Sequence, residues 1–94
     1  MKDYLGRIVR STAGREKDRV FCVVGMDEER SRLLLADGKR RKLDRPKSKK
    51  PGHVELLSVP DSCGHPAIEK LKQGQALTDK ELRRALAAFQ AKEV

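Results

Sequence analysis

A chain of 94 residues with a net charge of +8 makes one small domain, with room for a modest core and little spare stability for a deep catalytic pocket. No apolar run approaches the ~20 residues that span a bilayer, and "MKDYLGRIVR" has no uninterrupted apolar segment of signal-peptide length. The two cysteines, Cys22 and Cys63, do not read as a disulfide framework and fit a reducing compartment, so a cytoplasmic location is expected.

The first half reads as short strands. "LGRIVRS" (5–11) alternates, with Leu5, Arg7 and Val9 on one face and Ile8 and Arg10 on the other. "RVFCVVGM" (19–26) is β-branched and aromatic, with Val20, Cys22 and Val24 on one face and Phe21 and Val23 on the other. Apolar residues on both faces predict a central strand, or one packed under another element. "MDEERSR" is a polar turn. Asp37-Gly38 suits a two-residue hairpin turn, so 31–36 is expected to pair with a basic strand at 39–43. "RPKSKKPG" (45–52) has two prolines and four cations and is expected to be a loop. "HVELLSV" (53–59) is the last strand.

Beyond residue 60 the period changes. "HPAIEKLKQG" predicts a short helix, with Pro66 in its first turn and Gly74 at its stop. "LTDKELRRALAAFQAK" predicts a second, with Thr78 and Glu81 as a capping box and Leu77 stapled to Leu82. Leu82, Ala85, Leu86 and Phe89 form one apolar stripe. Such a stripe either packs on the strands or the first helix, or binds a partner. Five short strands in about 55 residues suggest a small, bent antiparallel barrel. The expected organisation is a barrel over 1–60 with a basic loop at 39–52, and a helical extension of about two short helices over 61–94 packed on it.

Residues 1–53 hold 16 Lys/Arg against 8 Asp/Glu, the whole of the excess charge, while residues 54–94 hold 6 of each. The run "KRRKLDRPKSKK" (39–50) carries 8 cations and only Asp44. A polyanion is the natural partner of such a run, because each phosphate contact releases counterions. A solvated basic loop is the plainer explanation. Charge alone does not separate RNA from DNA.

"GRIVRSTAGREKDRVFCVV", from Gly6 to Val24, resembles a KOW motif, the RNA-binding signature of a set of ribosomal proteins and transcription factors. An alternating strand leads into a loop with a glycine at 14, cations at 15 and 17, and a second apolar strand. "LLLADGKRRKLDRPKSKKPGHVELL" looks like the continuation in small bacterial relatives of archaeal and eukaryotic large-subunit ribosomal proteins. The resemblance covers about residues 4–57 and implies an SH3-like barrel whose motif loop contacts RNA. The loop residues it offers are Ser11, Thr12, Gly14, Arg15 and Lys17. Glu16 and Asp18 depart from a purely basic loop. The charge pattern adds Arg7, Arg10, Lys39, Arg40, Arg41, Lys42, Arg45, Lys47, Lys49 and Lys50.

Stacking groups are scarce: one Tyr, two Phe and no Trp. Phe21 and Phe89 fall in apolar patterns that predict burial, which leaves Tyr4. This favours recognition of RNA shape and phosphates over base sequence. Cys22, His53, Cys63 and His65 lack a C-x₂-C pair or knuckle spacing, so no metal site is expected. "GREKDR" has no Gly-Lys-Ser/Thr of a phosphate-binding loop, and no nucleophile–base pair stands out. The expectation is a non-catalytic, cofactor-free RNA-binding module associated with rRNA or the ribosome. The alternative is a protein-interaction module using the barrel edge or the helix face Leu82, Leu86, Phe89.

Overall fold

The computed structural model of the chain describes residues 4–57 and 65–92. Five strands, β1 (Ile8–Ser11), β2 (Val20–Asp27), β3 (Arg32–Ala36), β4 (Lys47–Lys49) and β5 (Val54–Leu56), precede two helices, α1 (Pro66–Lys72) and α2 (Asp79–Lys92). The strands form one antiparallel sheet in the order β4-β3-β2-β1-β5. The first four strands meander, and β5 returns to lie beside β1. With β4 and β5 at opposite edges, the described sheet is mainly β in character but not closed.

The pattern of β2 explains its central position. Cys22 packs with Ile8, Ala36 and the helix residues Ala67, Ile68, Leu82, Ala85 and Leu86, with Val20 and Val24 against them. Phe21 and Val23 pack on the other face with Val9, Leu33 and Leu35. Both faces are thus covered, as the apolar residues on both sides require. Strict alternation puts Met26 with Val24, yet Met26 packs with Phe21 and Val23. The pairing slips between Val23 and Gly25, so Val23 faces Leu35 while Gly25 faces Leu34. This bulge adds one residue to β2 and turns the rest of the strand over.

The fourth strand is not where the hairpin signal put it. Residues 39–43 form no strand; β3 pairs instead with Lys47–Lys49, inside the segment expected to be a loop. The cause is Asp37. Its Oδ1 accepts hydrogen bonds from the backbone N–H of Lys39 (2.9 Å), Arg40 (3.0 Å) and Arg41 (2.9 Å). The N–H groups of Asp37 and Gly38 both reach the Arg41 carbonyl. A side chain that satisfies three donors closes a compact turn and leaves none for a ladder. Of the two turn residues, only Gly38 takes positive φ, +77°. The two prolines bracket β4: Pro46 precedes it, and Pro51 opens a 3-10 turn, Pro51–His53, that leads into β5. Of the last expected strand, Val54–Leu56 is regular; residues 58 and 59 lie outside the described residues.

Both helices follow their sequence signals. In α1, His65 is the N-cap and its Nδ1 accepts from the Ala67 N–H at 3.1 Å, with Pro66 in the first turn. The helix ends as Gly74 N–H bonds Leu71 O and Gln75 N–H bonds Lys70 O, the paired closure of a Schellman motif with Gly74 at φ +74°. In α2, Thr78 Oγ1 accepts from the Glu81 N–H at 3.2 Å. Leu77 and Leu82 belong to the same apolar cluster. The stripe of α2 is spent on the core: Leu82 and Ala85 are fully buried, Leu86 nearly so, and Phe89 is packed against them. No helix among the described residues is long and apolar enough to cross a membrane.

Candidate nucleic-acid interface

The segment between β1 and β2, residues 12–19, is a structured loop. Gly14 has φ +81° and Asp18 has φ +72°. A non-glycine residue tolerates that backbone best when it is Asp or Asn. Lys17 N–H bonds Gly14 O, Asp18 N–H bonds Ser11 O at 2.7 Å, and Arg19 N–H bonds Glu16 O. Ser11 is fully buried, its Oγ donating to the Ala13 carbonyl at 3.0 Å.

Four contacts tie the loop to the rest of the chain. The Lys49 Nζ, on the edge strand, donates to the Ala13 carbonyl at 2.6 Å. The Arg41 Nε donates to the Glu16 Oε1 at 2.8 Å. Thr12 N–H bonds the His53 carbonyl in the 3-10 turn. Arg10 bridges the Asp18 carboxylate at 2.7 Å and that of Glu55 on β5. The Glu55 hydrogen bond and charge, and then Asp18, hold the Arg10 guanidinium above its ordinary value. Glu16 and Asp18, which look like flaws in a basic loop, are therefore its anchors. Each neutralises a cation of the framework.

These ties sort the cations expected from the sequence. Arg10 and Arg41 are paired, and Lys49 is buried against the loop backbone. Arg7 sits at the far end of β1 from the loop, with its carbonyl bonded to Val23. Arg15, Lys17, Lys39, Arg40, Lys42, Arg45 and Lys50 are exposed, as are Thr12 and Gly14; Lys47 is half-buried. None of those eight cations has an ion-pair partner among the described residues. The run 39–50, continuous in sequence, is divided in space. Residues 37–43 dock on the start of α2, where Arg83 donates to the Gly38 carbonyl (2.6 Å) and Asp79 Oδ1 accepts from the Leu43 N–H (2.8 Å). Residues 47–50 lie on the sheet edge. The loop touches both pieces.

Sequence reasoning missed two residues of this surface. Arg32 and His53 line a concavity together with Lys47, Ser48, Lys49 and Lys50. Arg32 stands outside the basic run, and β4 brings the two together only because it pairs with β3. Tyr4 is half-buried against the Val9–Phe21 cluster, and Phe21 is buried, so no aromatic ring is exposed among the described residues. No group of three or more potential metal ligands occurs among the described residues; Cys63 lies outside them. No protein-family model matches the chain, and no curated protein matches its sequence.

Proposed function

We propose that the chain is a non-catalytic RNA-binding module of the KOW type on an SH3-like barrel, associated with rRNA or the ribosome. One observation carries this. The Gly14 loop is tied at Ala13 to the 47–50 segment and at Glu16 to the 37–43 turn, which joins the loop, with its own unpaired cations, to the two segments that carry the others. Two further features support it. Five antiparallel strands with the last beside the first are the arrangement a small barrel needs. The lack of exposed rings among the described residues suits a reader of phosphates and shape, since base readout in single strands relies on stacking. The stripe of α2 is occupied by the core, which weighs against a partner at Leu82, Leu86 and Phe89.

If about four to six phosphates are neutralised, log affinity falls with log salt by roughly 0.7–0.9 per contact. Replacing the unpaired Arg40, Lys42, Lys47 and Lys50 by Ser is expected to weaken binding to many RNAs alike; Arg41 and Lys49 are left in place because they hold the loop. A flat salt dependence would sink the electrostatic mechanism, and equal affinity for a DNA duplex would remove RNA as the preferred target. Sedimentation with ribosomes at low salt, with crosslinking and sequencing, tests the rRNA assignment. Protein that stays at the top of the gradient and crosslinks no rRNA overturns it.

A further inference from the structure

We infer that the concavity between β3, β4 and the 3-10 turn is a second phosphodiester seat, joined to the Gly14 loop through Lys49 and completed by Arg32. The inference rests on the RNA-binding function proposed above and names a site within it. The six lining residues are Arg32, Lys47, Ser48, Lys49, Lys50 and His53. Four are Lys or Arg and none is acidic. Lys49 is committed to the Ala13 carbonyl, which fixes its stem and brings the loop backbone to the rim. Arg32, Lys47 and Lys50 have no ion-pair partner among the described residues. A concave group of unpaired cations concentrates the field on an anion more than the same charges on a convex surface.

The site is also open to a backbone. β4 is an edge strand, so no strand covers its outer side among the described residues. Gly52 in the adjoining turn has nothing within 4 Å of where a Cβ would stand. Arg32 and Ala36 are the two ends of β3, so Arg32 lies about 13 Å from the start of the 37–43 turn at ~3.3 Å per residue, while Lys47, opposite Leu35, lies nearer the turn. Arg32 therefore contacts a different phosphate from the turn cations. Lysines on an edge strand have a plainer role as guards against edge-to-edge pairing, and the experiment distinguishes the two.

The probe is a 16-base-pair RNA duplex, with affinity measured between 50 and 200 mM salt. The variants are Arg32→Gln/Lys47→Gln/Lys50→Gln for the seat and Arg40→Gln/Lys42→Gln for the turn. The single changes Arg32→Gln and Lys50→Gln, at half-buried and exposed positions, serve if the triple variant misfolds by circular dichroism. Losing about two phosphate contacts at the seat lowers the salt slope by about 1.5, so the defect is roughly tenfold larger at 50 mM than at 200 mM. The slope losses of seat and turn add in the combined variant. If the turn variant loses slope and the seat variant does not, the seat is overturned and RNA binding stands; new self-association of the seat variant with an unchanged slope identifies edge guards. If the unaltered protein binds no duplex, the RNA-binding proposal falls and the seat with it.

Discussion

Single residues decide the turns of this chain, and glycines show how. Gly38 and Gly74 have nearly the same φ, +77° and +74°, but different surroundings. A Cβ at Gly38 would overlap the Asp79 carbonyl oxygen and press on Arg83; at Gly74 nothing lies within 4 Å. Gly74→Ala therefore carries only the left-handed backbone cost, about 1–2 kcal/mol. Gly38→Ala adds the displacement of α2 and is expected to cost about 2–5 kcal/mol. Urea denaturation of the two variants checks the order, and equal losses would show that α2 is not seated on the turn. The sequence marks both glycines as turn or stop residues. It does not mark Gly38 as a contact with a helix 41 residues away, because that contact depends on how the sheet and α2 stack.

At the scale of elements, legibility follows the range of the interactions. The helix caps are local, and each lies where Thr78, Glu81, Pro66 and Gly74 put it. The two faces of β2 are equally readable as far as Val23, where the bulge intervenes. β4 is not readable, because three polar residues, Lys-Ser-Lys, become a strand only through pairing with β3. The Asp-Gly hairpin signal fails for a local reason, the three-way capping by Asp37. Two predictions belong here. Thr78→Ala removes the cap of α2 and is expected to cost about 1 kcal/mol in denaturant unfolding. The second concerns the tie between the helices, where Lys70 Nζ donates to Glu81 Oε2 at 2.9 Å. That hydrogen bond, first among several causes, holds the Glu81 carboxyl below the ordinary carboxylate range. A carboxyl lowered in the folded state contributes stability above its unfolded value and loses it as pH falls toward the folded one. Glu81→Gln is thus expected to be less stable than the parent near neutrality, with the gap closing in acid. A gap that stays constant with pH would show the effect to be packing rather than charge.

At the scale of the whole molecule, the loop's two carboxylates bring the competing effects into the open. Near a polyanion each carboxylate repels, so removing it strengthens binding; as an anchor each holds the loop in shape, so removing it weakens binding. Asp18 separates the two effects, because it combines a positive φ with a bridge to Arg10. Asp18→Asn keeps an oxygen for Arg10 and a side chain tolerant of that backbone, and deletes only the charge. Asp18→Ala deletes the charge and the bridge and strains the backbone. At 50 mM salt, where the screening length is about 14 Å, loss of the repulsion dominates in Asp18→Asn. Its affinity for the RNA duplex is expected to rise severalfold, with the gain shrinking as salt increases. In Asp18→Ala the freed loop offsets that gain, so its affinity falls below that of Asp18→Asn at every salt concentration. Binding titrations of both variants across the salt range decide the matter. Identical curves would mean that Asp18 acts by its charge alone and that the loop keeps its shape without the Arg10 bridge. A weaker Asp18→Asn at low salt would mean that the ion pair with Arg10 outweighs the repulsion, and an unchanged affinity would mean that no phosphate approaches the loop, confining the interface to the turn and the sheet edge.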